Sequence, residues 1–436
     1  MAIVKTAKTP AREAPLSETT IIGWMSKNLF SSVFNSILTI VTIYVIYITV
    51  RDVWVWGVAD AVWTADNRRE CFKINIDGAC WAGVIAWMDS IFYGRYPREE
   101  IWRINLGAVL LFVWMVPLWL PRVKAKVLIG VTTVFLYPFL AGYLFSGGDK
   151  GIFMQVMITA AIVCLIGNTL HSIIGVLTGS SLPEFLIRLL GKQDTPERSQ
   201  HKILFGILAA CLVVVFLWQM SWNLERVSWT KWGGLFLTMV ISGVGIASAL
   251  PGGIILALGR RSRLPAIRVL STGFIELFRS VPLITVLFMA TTMFPLFMPE
   301  GVVLNKLVQV IIAVCLFNAC YMAETVRAGL QAIPRGQAEG AHTIGLGYWG
   351  TMGLIIMPQA LKHMIPNIVG SFIGLLKDTT LVSIIGLFDI LGMLRSISRD
   401  APWLGLHKEP LIFGAILFFL ICFAMSKYSR HLEVKL

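Results

Sequence analysis

Long, uninterrupted runs of apolar residues recur along the chain, with short polar segments between them. A run of about 20 apolar residues is long enough to cross a lipid bilayer as an α-helix. Spanning β-strands would show short segments of alternating polarity instead. The pattern therefore predicts an all-α polytopic membrane protein. We expect about ten transmembrane helices, near residues 30–50, 104–121, 127–145, 152–178, 203–220, 233–258, 275–298, 306–323, 355–376 and 410–427.

Composition and charge support this class. Of the 436 residues, 56% are hydrophobic and 14% are charged, whereas about 25% of the residues in a soluble domain are charged. The net charge is +13, and the basic clusters fall in loops that the predicted spans place on one side of the membrane. By the positive-inside rule that side is the cytoplasm. We therefore expect both termini in the cytoplasm and no nucleic-acid partner.

The spans and loops divide the chain into segments. The chain divides into residues 1–202 and residues 203–436, and the sequence shows no convincing internal repeat between these parts. The second part carries the informative motifs, and its predicted core is residues 232–428. The other predicted segments are a cytoplasmic tail at 1–28, a membrane extension at 29–202 with an outside loop at 51–103, an additional span and loop at 203–231, and a second cytoplasmic tail at 429–436.

Two cysteines, Cys71 and Cys80, lie in the 51–103 loop that the predicted topology places outside. In an oxidising compartment they can form a disulfide, and two unpaired thiols are the alternative. Their spacing is not that of a zinc site, so the sequence predicts no metal site. It also contains no phosphate-binding loop of the Gly-x-x-x-x-Gly-Lys-Ser/Thr type, so we expect no nucleotide site in this chain.

A short polar loop, residues 334–358, separates two of the predicted spans and is rich in small side chains. Pro334 should end the preceding helix, and residues 336–345 can then form one short helix. Its small side chains recur every three or four residues on one face, at Ala338, Ala341 and Gly345. Such a face favours close approach by another surface. The pattern fits either a docking element or an amphipathic turn on the membrane surface.

The loop resembles the signature loop of the integral-membrane subunits of bacterial ABC importers. That pattern is Glu-Ala-Ala, three residues, Gly, nine residues, then Ile-x-Leu-Pro, and it is matched here by Glu339, Ala341, Gly345, Ile355 and Pro358. Gly340 replaces the first Ala and Met357 replaces Leu, which keeps these side chains small and apolar. In that family the loop forms a coupling helix that sits in a groove of the ATPase. The resemblance implies an ATPase-coupling role for Glu339, Gly340, Ala341, Gly345 and Pro358.

Other segments narrow the resemblance to the polar-amino-acid branch of these permeases. They are FIELFRSVPLITVLF at 274–288, LLKDTTLVSIIGLFDI at 375–390 and AETVRAGLQAIPRGQAEGA at 323–341. The N-terminal half, with GACW at 78–81 and YGRYPREEIWR at 93–103, resembles the second permease subunit of general L-amino-acid importers.

The resemblance implies a type I ABC importer transmembrane core at 232–428. The implied function is that of a permease subunit in an ATP-driven, binding-protein-dependent importer, which moves L-amino acids across the bacterial inner membrane. The 334–358 loop would couple it to a separate ATPase. The implied partners are a second homologous permease, two ATPase subunits, a periplasmic amino-acid-binding protein and the bilayer. ATP and Mg would bind the ATPase, so we expect this chain to bind no cofactor and to have no enzymatic site.

Ionisable residues within spans are costly and often functional, so they are the candidates for the substrate pathway. These residues are Glu276, Arg279, Lys377 and Asp378, with Thr379 beside them. A guanidinium can bind an α-carboxylate, and a carboxylate can bind an α-ammonium group. The structural alternatives are a Glu276–Arg279 pair three residues apart on one helix and a helix end at Lys377–Asp378.

The alternative function is that of an ion-coupled secondary amino-acid transporter. Such transporters often contain inverted repeats, and the sequence shows none that is convincing. A secondary transporter also has no use for a docking helix with small side chains. The importer interpretation therefore accounts for more of the chain.

Overall fold

The computed structural model describes residues 20–120, 123, 126–178, 182–189, 197–301 and 304–435. Most of the predicted 1–28 tail lies outside these ranges, as do short pieces of the 29–202 and 429–436 segments. The described ranges contain no β-strand; only isolated β-bridges occur. The predicted all-α class is confirmed.

The helices are numbered here in chain order. The first ten are α1 (Ile21–Asn28), α2 (Val33–Trp54, continued by a π-helical turn Val55–Ala59), α3 (Arg68–Ile74), α4 (Ala82–Ala86), α5 (Met88–Tyr93), α6 (Ile101–Trp119), α7 (Lys126–Ser146), α8 (Ile152–Thr178), α9 (Leu182–Leu189) and α10 (Glu197–Met220). They are followed by α11 (Gly234–Arg260), α12 (Pro265–Ser280), α13 (Leu283–Phe288), α14 (Lys306–Ala332), α15 (Arg335–Thr343), α16 (Tyr348–Gly350), α17 (Met357–Asp378), α18 (Ile390–Ile397) and α19 (Lys408–Lys435).

Within the described ranges, eight helices are long and apolar enough to cross a membrane, and a bent pair would make a ninth. Eight of the predicted spans correspond to these eight helices. The two predictions that differ are those at 275–298 and 355–376. The span expected at 275–298 is the bent pair, Pro265–Ser280 and Leu283–Phe297, whose axes differ in direction by 106°. The span expected at 355–376 is the helix α17, which is not among the apolar candidates because it contains Lys362, Asn367 and Lys377.

The described part of Met1–Ile85 forms one unit with Ala401–Glu409, and Ala86–Asp400 with Pro410–Leu436 forms the other. In the first unit, segment 401–409 is held by contacts from residues far away in sequence. Arg68 Nη1 donates to Leu404 O at 2.6 Å, and the Cys80 amide donates to the buried Glu409 carboxylate at 3.1 Å. Gly83 lies so close to Trp403 and Leu406 that a Cβ there would overlap both side chains. The predicted domain boundaries stay a prediction.

In the second unit, α6, α7, α8 and α10 pack as a bundle around one hydrophobic cluster. Its largest fully buried side chain is Trp114, which meets Tyr137 edge to face with ring centroids 6.2 Å apart. Tyr96 Oη donates to Phe145 O at 2.9 Å and closes one end of the bundle. Aromatic pairs of this geometry add to the stabilisation that comes from burial alone.

The core of the second unit is built on the close contact between α11 and α14. A Cβ at Gly253 would lie 2.7 Å from Met322 Cβ, and one at Gly252 would lie 2.9 Å from Ala319 Cβ. Glycine and alanine at this seam let the two backbones approach closely, which is how membrane helices associate without a hydrophobic driving force. Helices α12, α13 and α17 then pack on this pair.

A buried joint connects the start of α11 to the start of α18. The Gly234 amide donates to Phe388 O at 2.8 Å, and the Ile390 amide donates to Thr238 Oγ1 at 3.2 Å. The fully buried Asp389 carboxylate caps α18 by accepting from the Gly392 amide at 2.9 Å. Burial raises the pKa of Asp389 from 3.8 to about 7, because a charge loses its hydration there.

The α11–α14 seam generates a stability prediction. Gly253→Ala places a methyl group against Met322 and Ala323, and overpacking of this kind costs about 1–3 kcal/mol. Gly243→Ala is the matched control, since it lies on the same helix and its Cβ would meet nothing within 4 Å. We expect thermal unfolding in detergent at a lower temperature for Gly253→Ala and at an equal or higher temperature for Gly243→Ala. Equal melting temperatures for the two variants would contradict the close seam.

The Asp389 joint generates a pH prediction. The raised pKa means that the folded protein holds this proton at pH values where the unfolded chain has lost it. Its contribution to the free energy of unfolding therefore falls as pH rises from about 4 to about 7. Asp389→Asn keeps an acceptor for the cap and cannot ionise. The melting temperature of the variant minus that of the wild type should increase over this pH range, and parallel pH profiles would argue against the assignment.

Candidate functional site

The loop between α14 and α17 folds as a short helix held by proline and glycine at its two ends. Pro334 stands at the N-cap of α15, where its fixed φ angle and missing amide suit a helix start. The helix ends at Thr343, and Gly345 adopts φ +82°, a left-handed conformation that favours glycine. The Leu346 amide then donates to Ala341 O at 3.1 Å and closes the turn. The predicted short helix is present, one residue earlier at its start and two residues earlier at its end.

The small side chains on α15 do not all face outward, as a docking face of Ala338, Ala341 and Gly345 would require. Ala341 is buried and Ala338 is half-buried, and α15 packs on the π-helical turn Thr351–Ile356 that leads into α17. Small side chains here allow α15 to lie close to its own chain. The sequence pattern predicted which face of α15 carries small side chains, but not that this face packs on the turn Thr351–Ile356.

One exposed side of α15 carries Gly336, Glu339, Gly340 and Thr343. These residues are spaced three and four apart, which places them on one side of a helix. The Glu339 side chain is exposed and makes no hydrogen bond or ion pair with any residue in the described ranges. No Cβ at Gly340 would meet a neighbouring atom. The helix thus presents a carboxylate beside an open backbone.

Exposed apolar side chains follow directly after α15, and the sequence reasoning missed them. Ile344 is 74% exposed and Trp349 is 73% exposed, with Tyr348 edge to face against Trp349. Large apolar groups concentrated in a short polar loop mark an interaction surface. The signal was present in the sequence as Tyr-Trp directly after Gly-Leu-Gly.

A pocket opens beside α15 and has both charged and apolar walls. Arg261, Arg335, Glu339 and His342 line its polar part, and Leu330 and Ile356 line its apolar part. His342 Nδ1 lies 3.1 Å from Leu346 O, which fixes the ring against the turn. Two arginines near the single Glu339 carboxylate make this surface positive overall, except at Glu339.

The substrate-pathway candidates Glu276 and Arg279 belong to an ion-pair network that links three helices. They pair with residues of other helices, Glu276 with Arg260 at 3.2 Å and Arg279 with Glu324 at 3.4 Å. Sequence reasoning considered a Glu276–Arg279 pair on one helix and did not identify Glu324. Their role in the substrate pathway stays a prediction.

Lys377, Asp378 and Thr379 lie where α17 ends and a 3-10 helix, Thr379–Ser383, begins. Thr379 is buried and donates to Leu376 O at 2.7 Å, so its hydroxyl serves the helix end. Lys377 is exposed, and among the described residues no ion pair joins it or Asp378 to Glu276 or Arg279. The structure thus does not bring the two groups of candidates into contact.

The remaining candidate site concerns the cysteines. Cys71 and Cys80 are joined in the structure, with Cα atoms 5.9 Å apart. Both are buried in the first unit. In the part of the chain that is described, no group of three or more His, Cys, Asp or Glu side chains is arranged to hold a metal ion.

Comparison with known proteins identifies the family. Residues 249–436 match the model of the binding-protein-dependent transport system inner membrane component. The inner membrane amino-acid ABC transporter permease protein YhdY of Escherichia coli (strain K12) is 37% identical over 97% of this chain and 95% of its own length. The chain belongs to the amino-acid ABC transporter permease family. It is a permease subunit for binding-protein-dependent amino-acid import.

Two further relatives show how the chain is organised within this family. The glutamate/glutamine/aspartate/asparagine transport system permease protein BztC of Rhodobacter capsulatus is 38% identical over 99% of this chain and 98% of its own length. The probable glutamine ABC transporter permease protein GlnP of Bacillus subtilis is 32% identical, over 47% of this chain but 92% of its own length. About half of the chain therefore suffices for a whole permease of the shorter kind, and the long relatives share the N-terminal extension.

These findings confirm the predicted importer class, and nothing in them supports a secondary transporter. They also confirm a multi-pass inner-membrane protein. As a transport subunit of this family, the chain works with an ATPase and a substrate-binding protein.

The turn after α15 generates a prediction about Gly345. At φ +82°, replacing glycine by alanine costs about 1–2 kcal/mol, so Gly345→Ala should loosen the end of α15. Gly340→Ala is the control, because that position is helical and its Cβ meets nothing within 4 Å. Amide hydrogen exchange across residues 335–350 should be faster in Gly345→Ala and unchanged or slower in Gly340→Ala. Equal exchange in both variants would show that the turn does not depend on glycine.

Proposed function

We propose that α15 is the coupling helix of this permease and inserts its outward surface into a groove of a separate ATPase subunit. The observation that carries the proposal is the exposed Glu339 carboxylate beside the bare backbone of Gly340, on a helix fixed at both ends. A carboxylate without a partner among the described residues is available to a donor in another chain. The absence of a side chain at Gly340 lets that donor come close.

The exposed apolar side chains beside α15 complete the proposed interface. Ile344 and Trp349 flank the charged surface, and buried aromatic anchors beside a polar contact are the usual composition of a binding hot spot. Ala341 supports the interface from behind by holding α15 against its own chain. Pro358, near the start of α17, fixes the exit of the loop.

The arrangement of subunits follows from this role. We propose that this chain pairs with a second homologous permease, that two ATPase subunits bind the two coupling helices, and that a periplasmic protein delivers the amino acid. The ATPase subunits supply the sites for ATP and Mg, and this chain holds no such site of its own. Loop 334–358 and both termini then face the cytoplasm, as the distribution of basic residues requires.

The transport cycle then uses α14 and α17 as rigid connections. Closure of the ATPase dimer on ATP displaces α15, and the two long helices that flank the loop carry this displacement into the membrane. The path consequently opens to the outside, where the binding protein releases its amino acid. We propose that the substrate is an L-amino acid and that the direction is import.

We propose in addition that the Cys71–Cys80 disulfide forms in the periplasm. The bond closes a short loop whose Cys80 amide contacts Glu409. It would therefore stabilise the contact between the N-terminal extension and segment 401–409.

The Glu339 carboxylate provides the direct test of coupling. In the complex reconstituted with its ATPase and binding protein, Glu339→Ala removes a charge-assisted contact worth about 1.5–3 kcal/mol. We expect about tenfold or more weaker ATPase binding and a similar loss of ATP-driven amino-acid uptake. Copurification of the ATPase and uptake into proteoliposomes measure the two effects.

Two further variants make that experiment specific. Glu433→Ala removes an exposed carboxylate near the end of α19 and should behave as wild type. Glu339→Gln keeps a hydrogen-bond acceptor without the charge, so it separates a neutral hydrogen bond from an ion pair. If uptake follows an ion gradient and persists without the ATPase, the coupling role of α15 is wrong.

A further inference from the structure

Glu324 lies at the centre of an ion-pair network that connects α11, α12 and α14. Arg260 Nη1 lies 3.2 Å from both Glu324 Oε2 and Glu276 Oε1, and Arg279 Nη1 lies 3.4 Å from Glu324 Oε2. Arg327 Nε donates to Glu324 Oε1 at 2.7 Å, and its Nη2 contacts the same oxygen. One carboxylate thus holds arginines from three helices.

The Glu324 side chain is 23% exposed, whereas that of Glu276 is 55% exposed. A shielded ion pair is costly to break, because separation leaves a charge without a partner and with little water. Arg279 also packs over the Tyr321 ring, with its Cζ 5.7 Å from the ring centroid. The shielded part of the network is therefore the contact of Glu324 with its arginines.

The network lies between the end of α14 that leads to α15 and the bend between α12 and α13. On one side, Glu324 stands eight residues, about 12 Å of helix rise, before α14 ends at Ala332, close to the start of α15. Arg327 extends the network in that direction, since its Nη1 donates to Gln331 Oε1 at 2.7 Å.

On the other side lies the sharp bend of the α12–α13 pair. Arg279 lies in the last turn of α12, which ends at Ser280. Val281 and Pro282 separate α12 from α13, and the axes of Pro265–Ser280 and Leu283–Phe297 differ in direction by 106°. Short breaks of this kind are where hinge motions are absorbed. The Arg279–Glu324 ion pair thus connects the end of α12, beside the bend, to α14, which leads to loop 334–358.

We propose that Glu324 is a positioning residue that transmits displacement of α15 to the bend at Val281–Pro282 and so links ATP hydrolysis to opening of the path. The rigid helix α14 carries the displacement as far as Glu324. The ion pair with Arg279 then moves the end of α12 with it. This inference rests on the coupling role proposed above for α15.

The network gives Arg279 a structural role other than that of a substrate ligand, while its buried Nε donor has no hydrogen-bond partner among the described residues. Its Nη1 contacts Glu324 and its guanidinium faces Tyr321. A substrate ligand would affect the concentration of loaded binding protein needed for half-maximal uptake. A transmitting residue would affect the number of ATP molecules hydrolysed per amino acid moved. The two roles can therefore be separated by measurement.

The main experiment compares Glu324→Gln with wild type in proteoliposomes that contain the complete complex. Uptake and ATP hydrolysis are measured in the same vesicles, with and without loaded binding protein. We expect normal copurification of the ATPase, basal hydrolysis near the wild-type rate, and uptake reduced about tenfold or more, a size typical of coupling between distant sites. The ratio of ATP hydrolysed to amino acid moved should increase accordingly.

Three variants support that comparison. Glu324→Asp keeps the charge and should recover part of the uptake. Glu433→Gln makes the same chemical change at an exposed position and should leave the ratio unchanged. Arg279→Lys keeps the positive charge but replaces the planar fork with a single point charge, so it is the milder change if Glu324→Gln does not accumulate in the membrane. It should raise the ratio without changing the half-maximal concentration of binding protein.

The outcomes separate this inference from the proposed function. Failure of α15 as the coupling helix shows as retained ATPase binding in Glu339→Ala, whatever Glu324→Gln does. The inference itself is wrong if Glu324→Gln keeps wild-type uptake, or if it loses uptake only together with ATPase binding. It is also wrong if Arg279→Lys changes the half-maximal concentration of binding protein while the ratio of ATP to amino acid stays constant.

Discussion

The close approach of α11 and α14 determines where the other parts of the core can lie. In a bilayer, apolar helices gain little by leaving lipid, so shape complementarity must hold them together. Gly252 and Gly253 provide it by removing two side chains from the contact. Since α14 ends just before loop 334–358 and α11 ends at Arg260, the seam positions both this loop and one arginine of the Glu324 network.

Two acidic side chains of this permease, Glu324 and Asp389, lie where separate helices meet. Burying an ionisable group is unfavourable unless it is paired or neutral. Glu324 meets that condition by pairing with arginines, and Asp389 meets it by accepting hydrogen bonds from the Leu391 and Gly392 amides at the start of α18. Because such a contact is costly to break, it holds two helices at one relative position, whereas apolar packing alone would let one helix slide along the other.

The sequence was sufficient to predict most of the spans and the short helix in loop 334–358, because long apolar runs and prolines and glycines at helix ends are local patterns. It did not predict which surface contacts Ala341, since a small face can serve an internal contact as well as an external one. The partners of Glu276 and Arg279 were missed for a similar reason. Helical spacing relates residues on one helix, whereas Arg260 and Glu324 meet them only through tertiary packing. The sequence predicted one continuous span at 275–298 and not the 106° bend between Ser280 and Leu283.

The unit formed by the described part of Met1–Ile85 with Ala401–Glu409 joins residues that are synthesised at very different times. Arg68 and Leu404 are 336 positions apart, and Cys80 and Glu409 are 329 apart. Chains fold largely from the N-terminus as they are synthesised, so residues 60–85 emerge long before the segment that they hold. They therefore cannot complete their packing until nearly the entire chain has been synthesised. A chain that stopped before residue 404 would lack both the Arg68–Leu404 and the Cys80–Glu409 hydrogen bond.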